Sequence, residues 1–169
     1  QTCALPIFDI TDRKRIEADR QQAEEALREQ EELLRLFVRS APVGIAMFDR
    51  EMRYVMLSER CVQNYQLESI EACIGQSHYD VFPDIPPHWR EAHQRCLAGA
   101  TERSPEELFV RANGTEQWIF WEILPWYKHD REIGGIIIFA EEITQRKQAE
   151  LQLQQTNAER SEEHTSELQ

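Results

Sequence analysis

The sequence contains no long apolar run. No stretch approaches the roughly 20 apolar residues of a membrane-spanning helix, and none has the layout of a signal peptide. Basic residues are also few, since 19 Lys and Arg stand against 31 Asp and Glu, for a net charge of −12. This excess of acid argues against a general nucleic-acid surface and against attraction to anionic lipid. We therefore expect a cytoplasmic segment with no nucleic-acid partner and no direct membrane contact.

Patterns that carry catalysis or metal binding are also missing. No glycine-rich phosphate loop is present, and no carboxylate pair for acid–base chemistry stands out among the 31 acidic residues. The four cysteines have no short paired spacing, which predicts free thiols in a reducing compartment. His93 and Cys96 share a helix face at a spacing of three, but zinc there would still lack two ligands. We expect no catalytic residue, no metal site and no enzyme activity in this segment.

The first part of the chain is charged and has neither Gly nor Pro between Ile7 and Ala41. Its apolar residues recur three, four or seven positions apart, which is close to a short heptad pattern. They form one narrow seam, which consists of Ile16, Ala23, Leu27, Leu34 and Phe37, with Arg20 and Gln30 in the gaps. A lone helix this polar is only marginally stable. We predict a coiled-coil homodimer through this seam, and a helix that lies on its own domain is the alternative.

After Pro42 the pattern changes to short strands and short helices. In order, the sequence predicts strands at 43–49 and 53–58, short helices at 59–75, a proline-rich loop at 80–87, a helix at 88–99, two strands at 106–127 that meet at Asn113-Gly114, a strand at 133–144 and a charged helix. Because tight turns join neighbouring strands, we predict an α+β fold with a five-stranded antiparallel sheet.

Two of the predicted strands are apolar on both faces. In one, Trp118, Phe120, Leu124 and Trp126 alternate with Ile119, Trp121 and Ile123; in the other, Ile137 and Phe139 oppose Ile136 and Ile138. The short helices can cover only one face of such a sheet. We predict that the second face packs against a flanking helix or a second copy of the domain.

One phrase occurs twice: FDITDRKRIEAD starts at Phe8, and EEITQRKQAELQ starts at Glu141. Together with LFVRSAPVGIAMFD, HWREAHQRCLAG, RANGTEQWIFWEILPWY and GGIIIFAEEITQRKQAE, it resembles a PAS domain, a small sensor fold of bacterial signalling proteins. The resemblance covers roughly residues 33–148. In this family a strand commonly ends in Asp-Ile-Thr and leads into a signalling helix. The resemblance therefore implies a signal exit, which consists of Glu142, Ile143, Thr144 and Arg146.

The same resemblance implies domain boundaries. Residues 8–40 would be the end of an upstream PAS domain and a linker helix, 41–144 the PAS domain, and 145–159 a C-terminal signalling helix. The two ends, residues 1–7 and 160–169, read like the translated strands of a sequencing adapter. We expect those ends to carry no biological function.

The implied function is a sensory and dimerisation module that relays a signal through its flanking helices to an output domain, such as a histidine kinase or a cyclic-dinucleotide enzyme such as a diguanylate cyclase. Its partners would be a second copy, neighbouring PAS and output domains, and possible small-molecule ligands. The ligand-pocket candidates are Tyr65, Trp89, His93, Cys96, Trp118 and Trp121. The alternatives are a ligand-free spacer and a heme-binding gas or redox sensor in which His93 holds the iron; no cofactor is the default expectation.

Overall fold

The computed structural model describes residues 8–110 and 114–166, and the elements alternate largely as predicted. Within those ranges the order is α1 (Phe8–Arg39), β1 (Gly44–Asp49), β2 (Tyr54–Leu57), α2 (Glu59–Tyr65), α3 (Ile70–Cys73), α4 (His78–Val81), α5 (Pro87–Leu97), β3 (Glu102–Val110), β4 (Glu116–Tyr127), β5 (Ile133–Glu142) and α6 (Thr144–Ser166). Of the predicted turn at Asn113-Gly114, Asn113 lies outside the described residues. Gly114 has a φ of 81°, which glycine adopts without strain.

The five strands form one antiparallel sheet, which confirms the predicted fold class. The strand order is β2-β1-β5-β4-β3, so that the last strand in sequence lies at the centre. Ile138 of β5 pairs with Ala46 of β1 on one side and with Ile123 of β4 on the other. This register places one apolar row across the three central strands, and the core forms on that row.

The short helices cover this row. The buried core cluster joins sheet and helices, and it consists of Ala46, Phe48, Met52, Tyr54, Leu57, Cys61, Cys73, Ala92, Cys96, Ile123 and Ile136. Ser58 fixes the first of these helices, because its Oγ accepts from Cys61 N–H as an N-cap. The same Oγ accepts from Ile45 N–H at 2.9 Å and donates to Val43 O at 3.0 Å. One buried hydroxyl thus joins α2 to β1.

Two elements differ from the sequence prediction. The short helix α4 begins at His78, just before the predicted loop, and ends inside it; Ser77 caps this helix and accepts from Tyr79 N–H at 3.3 Å. Strand β3 begins at Glu102, four residues before the predicted strand, and it includes Pro105. Proline is tolerated here because β3 is an edge strand and Pro105 lies at a register shift.

The predicted division of β4 into two faces is confirmed. Ile119 and Ile123 are buried on the helix side, whereas residues on the outer side are half-buried. Part of that outer face is covered by Trp126, whose indole crosses β5 and donates from Nε1 to Phe48 O at 2.8 Å. Gly134 makes room for the ring, because a Cβ there would lie 2.1 Å from Trp126 Cζ3. The two glycines of β5 thus leave space for the Trp126 ring of β4 and for the Phe48 backbone of β1.

We predict that Gly134→Ala displaces the Trp126 indole and breaks its hydrogen bond to Phe48 O. Overpacking and the lost bond should lower the free energy of unfolding by about 1–3 kcal/mol, as measured by urea denaturation.

The background variant Trp126→Ala provides the control for this prediction. If the indole is the cause, Gly134→Ala should have little further effect in that background. An equal loss of stability in both backgrounds would contradict the explanation.

Candidate functional site

The predicted dimer seam lies on the exposed surface of α1. Ile16, Leu27, Leu34 and Phe37 are between 52% and 74% exposed, and Ala23 is exposed as well. An apolar row of this kind along a free helix is unusual for a surface.

The C-terminal end of α1 is tied to the domain by Arg39. Its Nε lies 2.8 Å from Glu59 Oε1, and its Nη1 lies 3.5 Å from Glu71 Oε1. These ion pairs reach α2 and α3. They join the end of α1 to the helical layer, which consists of the short helices α2–α5 that cover the sheet.

The predicted signal exit joins β5 to α6, and three of its four residues contact β4; Glu142 does so by pairing with Ile119 in the sheet. Ile143 is 3% exposed, and its N–H donates to Trp118 O at 2.7 Å. Thr144 Oγ1 accepts from Trp118 N–H at 3.0 Å. Glu142 and Arg146 are exposed. The start of α6 is thus held to the backbone of one β4 residue by one backbone–backbone bond and one bond to the Thr144 side chain.

Two residues that the sequence did not single out complete this junction. Lys147 Nζ pairs with Glu106 of β3 and lies 5.8 Å from the centroid of the Trp118 ring. Trp118 therefore lies on the outer face of the sheet, apart from the other predicted pocket residues. A basic residue in the first turn of the exit helix was the only sequence signal for this contact.

Two histidines pair with two tyrosines in the interior. Tyr54 Oη lies 2.7 Å from Nδ1 of His78, and Tyr79 Oη lies 3.2 Å from Nδ1 of His93. The two imidazole rings are 5.5 Å apart. Within the described residues, Nε2 of His93 is buried without a hydrogen-bond partner. An unsatisfied buried nitrogen is costly, and it marks His93 as a candidate ligand contact.

Both imidazoles are held neutral. Burial, and then the nearby His93 and Arg90, lowers the pKa of His78 to about 3. Burial, and then Arg90, lowers the pKa of His93 to about 4. Arg90 is fixed close by, with Cζ 4.3 Å from the centroid of the Tyr79 ring. A second positive charge in this interior is therefore disfavoured.

The surroundings of His93 do not fit a heme. Its Nε2 would be the iron ligand, but the macrocycle also needs open space beside the imidazole. The rings of His78 and Tyr79 lie 5.5 and 6.0 Å from the His93 ring, and Cys96 and Ile123 have no exposed surface. Side chains fill the space that a porphyrin needs.

Two other predicted pocket residues, Trp89 and Trp121, are in contact at the edge of the interior, with ring centroids 5.0 Å apart and ring planes tilted by 46°. Trp121 Nε1 donates to Glu107 of β3, which the sequence did not single out. His88 Nε2 lies 3.7 Å from the same carboxylate. Tyr65, the remaining candidate, packs against the core and lies 5.9 Å from the Phe82 ring. The structure therefore groups His93 with Cys96 and Trp89 with Trp121.

A cleft of about 290 Å³ lies apart from the histidines. It separates the segment after α1 from the start of α6, and its lining includes Pro42, Arg60, Asn64, Glu141, Glu142 and Gln145. Arg60 Nε donates to Pro42 O at 3.2 Å. His93 does not line this cleft.

Two negative findings apply to residues 8–110 and 114–166. None of their helices is both long enough and apolar enough to pass through a bilayer. No three of their His, Cys, Asp and Glu residues are grouped so that a metal ion would fit. Cys61, Cys73 and Cys96 are free thiols.

We predict that acid destabilises the domain through His78 and His93. Their folded-state pKa values lie below the unfolded value near 6.5, so the unfolded chain binds more protons as the pH falls. The stabilisation is complete above about pH 6.5 and is lost toward about pH 4 and 3. Linkage gives a loss of about 2 kcal/mol for each histidine between pH 7.5 and pH 5, measurable by urea denaturation.

The variant His93→Gln should reduce this acid-induced loss. His129→Gln, in the exposed turn between β4 and β5, serves as the matched control and should leave it unchanged. A wild-type stability that is the same at both pH values would contradict the assignment of two neutral buried imidazoles.

Solved structures with the same fold come from several bacteria. The PAS domain of BvgS from Bordetella pertussis is 22% identical, with a TM-score of 0.55, covering 78% of this chain and 98% of that chain. A PAS domain from Colwellia psychrerythraea is 16% identical, with a TM-score of 0.53, covering 71% and 98%. A Vibrio cholerae VqmA dimer structure is 15% identical, with a TM-score of 0.53, covering 65% and 50%. The chain spans about half the length of the VqmA structures it matches.

At these identities the structural likeness shows the fold alone, and a comparison with curated proteins found no match. The sequence itself gives the stronger result, because residues 38–148, about two thirds of the chain, match the family model described as PAS fold. The chain therefore belongs to the PAS family.

Proposed function

We propose that this chain is a sensory and dimerisation module that relays a signal from its helical layer to α6 and on to an output domain. The observation that carries the proposal is the exposed seam of α1. PAS domains are generally non-catalytic, so enzyme activity would belong to the output domain, a histidine kinase or a cyclic-dinucleotide enzyme. The cytoplasmic location belongs to the same proposal and agrees with the free thiols of Cys61, Cys73 and Cys96.

The seam supports a homodimer because α1 has little else to stabilise it. Its 32 residues extend about 48 Å at 1.5 Å per residue, and the described ion pairs to the domain, those of Arg39, are at its C-terminal end. The five seam residues follow the a and d positions of a heptad. A second copy with the same seam would bury them in a two-fold interface.

The two ends of the domain support the relay. Arg39 connects α1 to the helical layer, and Trp118 connects β4 to the first turn of α6. A rearrangement of the layer would therefore act on α1 through Arg39, and a shift of β4 would act on α6 through Trp118. A ligand that prefers one arrangement by about 1.4 kcal/mol would shift the balance tenfold.

The packed interior favours a second candidate, a PAS module that relays signals without a ligand. Phe48, Cys96 and Ile123 have no exposed surface, and His93 has 1%. Any core ligand would have to displace such side chains, whereas a partner that acts on α1 would not.

We predict that Leu34→Asp weakens the dimer. Removing two Leu side chains from one interface, at about 1.5 kcal/mol each, raises the dissociation constant roughly 100-fold. Sedimentation analysis of the whole chain over a concentration series measures the change. Native mass spectrometry of the same samples separates the two candidates, because bound ligand adds mass to the dimer and the ligand-free relay gives the mass of two chains alone.

The matched control is Leu36→Asp. Leu36 is 59% exposed on the same helix, but it is two residues away from Leu34 and outside the seam, so this variant should dimerise like the wild type. A monomeric wild type, or equal weakening by both variants, would refute the proposed dimer.

A further inference from the structure

Strand β3 changes register against β4 within two residues. Ser104 pairs with Trp121 and Glu107 pairs with Ile119, which leaves Pro105 and Glu106 opposite a single β4 residue. This is a β-bulge, and a bulge lacks the regular ladder bonds that fix a strand. Ser104 Oγ spans it and donates to Glu106 O at 3.2 Å. The ordinary alternation of the strand turns the two carboxylates beside the bulge, those of Glu106 and Glu107, to opposite faces of the sheet.

Glu107 faces the helical layer. It accepts from Trp121 Nε1 and lies 3.7 Å from His88 Nε2. Trp121 in turn packs against the core and contacts the tilted ring of Trp89 of α5. The position of this carboxylate is therefore set by α5 and by the ring at the edge of the core.

Glu106 faces the exit helix. Its carboxylate pairs with Lys147 Nζ of α6, and the Lys147 side chain is only 16% exposed. Lys147 also lies over the ring of Trp118, the residue that binds Ile143 and Thr144 through its backbone. The position of this second carboxylate thus affects how firmly the first turn of α6 is held.

We propose that the Pro105–Glu107 bulge couples the helical layer to α6. Glu106 and Glu107 share one peptide unit, so a shift of α5 or Trp121 that moves Glu107 inward or outward moves Glu106 against Lys147. Glu107 acts on α6 only through the bulge and is a positioning residue. The inference rests on the proposed function in treating α6 as the output helix, but it requires no ligand and no dimer.

The test is amide hydrogen exchange in the full chain, followed by NMR. The reporters are Ile143 N–H, which donates to Trp118 O, and Lys147 N–H, which donates to Ile143 O. The reference is Ser58 N–H, which donates to Ile45 O at the other end of the sheet. Glu106→Met should speed exchange at the reporters directly. Glu107→Met, on the opposite face, should speed it by about threefold to thirtyfold relative to the reference.

Two further variants make the result specific. Trp121→Phe keeps an aromatic ring at this position but removes the Nε1–H that donates to Glu107. It should therefore reproduce the effect of Glu107→Met. Glu102→Met is the matched control, because Glu102 also joins β3 to α5, through Arg95, but precedes the bulge; it should leave the reporters unchanged.

The coupling is refuted by any of three results: reporters that do not respond to Glu106→Met or to Glu107→Met, acceleration of the reference to the same degree, or an equal effect of Glu102→Met. The dimer test with Leu34→Asp is independent, so the failure of one proposal is distinguishable from the failure of the other.

Discussion

The backbone of Trp118 is the constraint on which the rest of this structure depends. Its carbonyl accepts from Ile143 N–H and its N–H donates to Thr144 Oγ1, so the sheet hydrogen bonding continues past β5 into the first turn of α6. Because Ile143 is buried, water does not compete for the first of these bonds. Lys147 adds a charged contact to β3 beside them. The exit helix thus leaves the domain in a direction that the sheet sets.

The interior combines tight packing with polar groups that are only partly satisfied. Tyr54 and Tyr79 each meet one imidazole nitrogen, but Nε2 of His93 has no partner within the described residues. Protonation of His78 or His93 would destabilise such a core, because burial disfavours the charged form. Any molecule that gave Nε2 a partner would gain a hydrogen bond and would have to displace packed side chains. The unpaired Nε2 of His93 therefore favours a ligand, whereas the packed side chains around it oppose one.

Local patterns predicted most of the fold. Alternation in β4 correctly separated Ile123 from Leu124, and the family resemblance placed the exit at Thr144. The contacts that position the exit were not predictable in this way, because they join residues distant in sequence: Glu106 with Lys147, and Trp126 with the backbone of Phe48. No spacing rule shows a bulge on an edge strand either. The sequence correctly placed His93 and Cys96 on one helix face, and both are buried. It also placed Trp118 among the pocket candidates, although Trp118 lies on the outer face of the sheet.

The sheet holds the first turn of α6 rigidly, and ¹⁵N relaxation of the wild-type chain measures this rigidity. The amides of residues 144–148 should have order parameters near those of β4 and β5, about 0.85 on the usual scale. Values below about 0.6, typical of a flexible segment, would contradict the account, because a helix that moves independently of the sheet cannot report the state of the domain.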